Sequence, residues 1–106
     1  MTTELRRATR NPIVATVEIR ERRTEVRASA RTSDLSTMGC YVDTLNPLLA
    51  GTDIELRISY KSEKITVRGV VAYSKANMGM GIEFVEVQGS QLKVLQRWFD
   101  KINVLH

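Results

Sequence analysis

Apolar and polar residues alternate along most of this chain, and the period changes only near its end. From Ile13 to Arg20, the residues Ile13, Ala15, Val17 and Ile19 fall on one face, with Val14, Thr16, Glu18 and Arg20 on the other. That period of two predicts a strand with one buried face. After the polar connection Glu21-Arg22-Arg23-Thr24, Val26, Ala28, Ala30 and Thr32 alternate with Arg27, Ser29, Arg31 and Ser33. This second strand is small-residued inside and strongly basic outside. Cys40, Val42 and Thr44 alternate with Tyr41 and Asp43 in a short third strand. Asn46-Pro47 and Gly51-Thr52-Asp53 punctuate the loop that follows. Ile54, Leu56, Ile58 and Tyr60 form the inward face of a fourth strand, and Lys61-Ser62-Glu63-Lys64 a hairpin connection. Ile65, Val67, Gly69, Val71 and Tyr73 carry the inward face of the fifth, where Gly69 permits a bulge or a close backbone approach. Ser74 to Gly79 is a polar loop, and Met80, Ile82 and Phe84 mark a sixth strand.

After Gly89-Ser90 the period becomes helical. Leu92, Leu95, Phe99 and Ile102 lie on one stripe with Trp98 beside them, and Ser90 has the chemistry of an N-cap. Short strands with turn signals roughly every ten residues predict an all-β closed barrel or sandwich. One terminal amphipathic helix would cover an open end, and closure removes exposed strand edges. The expected organisation is a single domain over residues 1–106. A flexible arginine-rich arm (1–12) precedes the barrel (13–85), and the C-terminal helix (90–104) follows it.

Composition narrows the class. The chain has 106 residues, 42% of them hydrophobic and 26% charged, which suits one globular domain with a modest core. No apolar run is long enough to span a bilayer, and no apolar segment follows the basic N-terminus to make a secretory signal. Cys40 is the only cysteine, so it has no internal disulfide partner, and the natural setting is a reduced, cytoplasmic one. The one histidine is His106 at the extreme C-terminus. No triad, histidine base or metal-ligand spacing is present, so an enzyme is not expected, nor a metal or cofactor. Gly79-Met80-Gly81 lacks the third glycine and the following helix of a dinucleotide-binding turn, and reads as a strand opening.

Charge placement says more than the net charge of +4. Residues 1–31 hold eight arginines, no lysine and four glutamates, whereas acids and bases cancel over the remainder. Arginine presents a planar fork suited to phosphates and base edges. This arm precedes a second notable stretch, Asp34-Leu35-Ser36-Thr37-Met38-Gly39, an acid, a hydroxyl and a glycine in a six-residue turn between two alternating runs.

Arg6-x-x-x-Arg10, two strands, and then Asp34-x-Ser36-x-x-Gly39 together resemble the PilZ domain family. The resemblance runs on through Gly39-Cys40-Tyr41-Val42, Gly51-Thr52, Gly69-Val70-Val71 and Gly79-Met80-Gly81-Ile82-Glu83-Phe84, from about Leu5 to the terminal helix. It implies a six-stranded antiparallel barrel with a helix at one end, and a ligand, the bacterial second messenger cyclic di-GMP. By that resemblance Arg6 and Arg10 are the ligand-binding pair, Arg7 is an accessory, and Asp34, Ser36 and Gly39 are the turn residues of the site.

The chemistry of the ligand asks for such groups. A guanidinium can fork onto a phosphate or onto guanine O6 and N7, and can stack on a purine. A carboxylate at Asp34 can accept the guanine N1–H and N2 amino donors. The Ser36 hydroxyl can bond ligand or brace the turn, and Gly39 permits positive φ and close backbone approach. The expected function is a non-enzymatic cyclic di-GMP receptor whose arm orders over the ligand and signals to a downstream protein partner or fused domain. Two rivals stand beside it: a protein-interaction module of the same fold without nucleotide, and a basic barrel that binds nucleic acid. The second rival is disfavoured because most of the aromatics fall at inward positions or on the helix stripe. Asn11-Pro12 governs how the arm leaves the barrel.

Overall fold

The computed structural model describes residues 9–104. Six strands are present: β1 Thr16–Glu21, β2 Arg27–Leu35, β3 Gly39–Asp43, β4 Asp53–Tyr60, β5 Glu63–Lys75 and β6 Gly79–Glu86. They close into an antiparallel barrel in the order β1-β2-β3-β6-β5-β4, and one helix, α1 Gly89–Val104, follows. Of the closed barrel and the sandwich that the periodicity left open, the observed fold is the barrel with a C-terminal helix that the family resemblance implied. Closure is made by β1 against β4 and by β3 against β6, so the two ends of the strand order meet.

The core comes from the inward residues of every strand, including Val17, Ile19, Val42, Leu56, Ile58, Val67 and Ile82, all 2% exposed or less. Leu95, Trp98 and Phe99 of α1 pack into the same cluster. Glu63, at the start of β5, fixes the helix: its Oε1 accepts the Trp98 indole N–H at 2.9 Å, and its other oxygen pairs with Arg97. The Tyr60 and Trp98 rings meet edge to face at 5.3 Å. The helix begins one residue earlier than its expected cap: the Gln88 carbonyl accepts the N–H groups of Gln91 and Leu92, so Ser90 lies within the first turn.

Register departures correct several expectations. The β4–β5 connection is only Lys61-Ser62, both at positive φ (47° and 72°), as a two-residue hairpin turn requires. β3 stops at Asp43, and β5 runs on to Lys75, shortening the expected Ser74–Gly79 loop. Because β3 is so short, β2 pairs with it only from Arg31 onward. The first half of β2 thus lacks a neighbour on that side, and Val26 and Ala28, expected inside, are exposed. At Gly69 the register shifts, with Val85 of β6 as the extra residue. A second shift makes Ala72 the extra residue of β5, which turns Tyr73 to the outside at 46% exposure. An inserted residue reverses every side chain beyond it, because the strand period is two.

Candidate ligand-binding site

The site is built at the end of β2, where a third shift inserts Ser33. Thr32 pairs with Val42 and Asp34 with Tyr41, leaving Ser33 unopposed. Thr32 stays buried, Leu35 enters the core at 0% exposure, and Asp34 faces outward. Asp34 and Leu35 are therefore strand residues, and the expected six-residue turn shrinks to the tight Ser36-Thr37-Met38 connection.

Ser36 explains that tightness. Its backbone N–H donates to the Gly39 carbonyl at 2.8 Å, and its Oγ accepts the N–H groups of Met38 at 3.0 Å and Gly39 at 3.1 Å. Its own hydroxyl donates back to the Gly39 carbonyl at 3.3 Å, and the residue is 2% exposed. Of the two roles open to this hydroxyl, bracing the turn is the one these bonds perform. The Met38 carbonyl accepts the Phe84 N–H, which ties the turn to β6. Gly39 opens β3 opposite Glu83, and among the described glycines positive φ occurs at Gly51, not at Gly39.

The segment entering the barrel is held against the same stretch of β2. Asn11 and Leu35 exchange both backbone hydrogen bonds, at 2.8 and 2.9 Å. The Ile13 N–H donates to the Asn11 carbonyl across Pro12, a three-residue turn in which the proline needs no donor. Thr32 completes the tether: its Oγ1 donates to the Ile13 carbonyl at 2.8 Å and accepts the Ala15 N–H at 3.0 Å. The expectation of a free arm through residue 12 is thus corrected for its last residues, since Asn11 is 5% exposed and paired. Arg6 and Arg7 lie outside the described residues.

Pinning Asn11 delivers Arg10 to Asp34. Arg10 Nη2 lies 3.4 Å from Asp34 Oδ1, with the two side chains 44% and 27% exposed. Oδ1 itself is buried and accepts no hydrogen bond among the described residues. The contact is therefore an ion pair at the long end of the range, with the oxygen's directional acceptor capacity unmet. Cys40 lies in the wall beneath. Burial, and then the negative charge of Asp34, push its thiol far up, while Arg10 opposes the shift. The thiol is accordingly a core group rather than a nucleophile.

Beside Asp34 the outer wall carries two aromatic rings that the alternation pattern did not reveal as a pair. Tyr41 is opposite both Asp34 and Gly81, and Gly81 is opposite Tyr73. The signal available in the sequence was Gly79-x-Gly81, two outward-facing glycines in one strand, which leave room for neighbouring side chains to lie across it. Farther along β2, Arg27 and Arg31 are exposed, and among the described residues neither forms an ion pair.

An arginine from the N-terminal segment thus meets the aspartate of an Asp-x-Ser-x-x-Gly stretch on the wall of a closed six-stranded barrel. The PilZ domain family model matches residues 4–101, and the chain belongs to that family. Among solved structures, it is similar to the PilZ domain of CeSA from a cellulose-synthesizing bacterium, with a TM-score of 0.69 at 18% identity. That match covers 90% of this chain and 98% of the other. It is also similar to the Bacillus subtilis inhibitor of motility, MotI/DgrA, with a TM-score of 0.76 at 18% identity, covering 96% of this chain but 52% of that one. At such identity these two likenesses speak for the fold. No curated protein sequence matches. PilZ domains are in general receptor domains for cyclic di-GMP rather than enzymes. Among the described residues no helix is long and apolar enough to cross a membrane.

Proposed function

We propose that this chain is a cyclic di-GMP receptor whose ligand is gripped between the Arg10 end of the N-terminal segment and Asp34 on the barrel wall. The observation that carries this reading is the buried Asp34 Oδ1, 3.4 Å from Arg10 and without a hydrogen bond among the described residues. A buried acceptor left unmet is costly, on the order of 1–3 kcal/mol, and is satisfied by a ligand that brings its own donors. The guanine N1–H and N2 amino group are such donors, and the Arg10 guanidinium is then free to turn to phosphate or to the Hoogsteen edge. Arg6 and Arg7 add cations to the same grip. Ser36 and Gly39 serve it by holding the turn that fixes Asp34.

Binding makes or breaks no covalent bond. Its consequence is the ordering of the N-terminal segment on the barrel, which repositions an attached domain or presents a surface to a partner protein. The setting consistent with this role is the cytoplasm. Titration of the purified chain with cyclic di-GMP by calorimetry tests the reading, with Arg10→Ala and Asp34→Ala in parallel. Saturable binding by wild type, and its loss in both variants with unchanged melting, is the expected result. Absence of heat from folded wild type at high ligand concentration overturns it.

A further inference from the structure

We infer that Tyr41 and Tyr73 form a stacking shelf for a purine base on the outer wall, continuous with the Arg10–Asp34 grip. The inference rests on the reading of that grip as a cyclic di-GMP site and adds a base-binding surface to it. Registration places Asp34, Tyr41, Gly81 and Tyr73 in one row across β2, β3, β6 and β5, all on the outer face. Neighbouring strands are about 4.8 Å apart, so Tyr41 is the first side chain beyond the Asp34 carboxylate in that direction. The Tyr41 and Tyr73 ring centroids are 6.3 Å apart, with an interplanar angle of 35°.

The strand beneath is shaped for these rings. A Cβ at Gly81 would fall 2.3 Å from Cε1 and 2.4 Å from Cζ of Tyr73, whereas one at Gly79 would first meet the Val42 carbonyl oxygen at 2.3 Å and then Cε2 and Oη of Tyr41 at 2.8 Å. Glycine at position 81 is what lets the Tyr73 ring lie across β6, and glycine at 79, required first by the Val42 carbonyl, leaves room for the Tyr41 ring as well. One side of each ring thus rests on the strand, and Tyr73 remains 46% exposed. Exposed aromatic area of this kind gives nothing to the core, which is already closed by Met80 and Ile82 on the opposite face of the same strand.

The occupant follows from the neighbours. A carboxylate that takes the donor edge of a guanine fixes the base at its rim, and the flat face then needs a surface. Stacking on aromatic side chains is the usual surface, supplemented by a guanidinium plane. Two rings in a row give room for one base or two, the scale of a dinucleotide rather than a strand of nucleic acid.

The test is calorimetric titration of the full chain with cyclic di-GMP, comparing wild type with Tyr73→Leu, Tyr41→Leu and Tyr73→Phe. A parallel NMR titration of wild type follows the ring protons of both tyrosines. The leucine variants should bind about tenfold or more weakly, the worth of one stacked base. Tyr73→Phe should stay within about twofold, because it keeps the ring, and the melting temperatures should match. The wild-type ring protons should shift upfield as the base covers them. Undiminished affinity in both leucine variants, or ring protons that do not move while ligand binds, overturns the shelf and leaves the grip standing. A Tyr73→Phe variant as weak as Tyr73→Leu also overturns it, since the hydroxyl would then be the contact. If wild type does not bind at all, grip and shelf fall together.

Discussion

Two aspartates face arginines on the outside of this barrel, and they are held in different ways. Asp53, at the head of β4, accepts hydrogen bonds from Arg68 Nε at 3.3 Å and Nη2 at 3.1 Å, and Arg22 stands 3.6 Å away. These bonds, led by that from Arg68, hold its carboxyl below the usual carboxylate range. Asp34 has a single guanidinium at 3.4 Å and a buried oxygen with no hydrogen bond among the described residues. The first aspartate is a finished corner that joins β4 to β5. The second is an acceptor with no hydrogen-bond donor among the described residues. An ion pair by itself therefore does not mark a binding site. The telling feature is a desolvated acceptor whose remaining valence has no donor.

The comparison breaks most readily at the ligand. Asp34→Ala should weaken cyclic di-GMP binding by about 30-fold or more, the usual result of removing a charged group whose buried oxygen takes the partner's donors. Asp53→Ala should leave binding within about twofold, by the same calorimetry, because its carboxylate is already engaged by Arg68 and Arg22 of the barrel wall. Equal losses in the two variants would erase the distinction.

Stability should divide the other way. Ser36→Ala removes the acceptor for two backbone N–H groups in the turn below Asp34 and should lower stability by roughly 1–3 kcal/mol in chemical denaturation. Asp34→Ala should leave the denaturation midpoint unchanged or raise it, since it deletes a buried acceptor that no donor among the described residues satisfies. If Asp34→Ala destabilises as much as Ser36→Ala, the aspartate is a structural brace and the site reading fails.

The smallest expected effect concerns acid. The carboxyls of Asp53 and Glu63 are both held below their ordinary values, Asp53 chiefly by Arg68, Glu63 chiefly by Arg97 and then Trp98. A carboxyl depressed in the folded state favours folding when ionised. Its contribution is full above the ordinary carboxylate range, near about pH 4–5, and is lost as pH falls through the depressed values. Both groups are only half-buried and in reach of solvent, so the melting temperature should decline only gently across that range in addition to any general acid effect. Asp53→Asn and Glu63→Gln should each flatten the decline, and an unaltered slope in both would assign the acid sensitivity elsewhere.

The shared architecture of both aspartates was legible in the sequence, but their surroundings were not. The alternation through Ile54, Leu56 and Ile58 and the helical stripe of Leu95 and Phe99 report local periods, and each became the element it predicted. The family resemblance named Arg10 and Asp34 as separate ligand-binding groups, and that they lie against each other is known only from the fold. Ser36 was left with two roles, and only its three contacts in the folded turn separate them. Asn11-Pro12 gave no hint of being a tether, because its partner Leu35 is 24 residues away.

What the sequence by itself determined is the set of strands, the helix and the identity of the chemical groups that the site can use. Those follow from periodicity and side-chain chemistry, which are properties of neighbouring residues. The direction in which Asp34 and Tyr73 point was decided by tertiary structure. Each lies just after an inserted residue, Ser33 or Ala72, and an insertion exists only relative to a paired strand. Closing a barrel from strands of 5 to 13 residues forces such shifts, and one shift moves a side chain from core to surface. Alternation therefore put Tyr73 in the core, whereas closure put it outside, in line with Asp34.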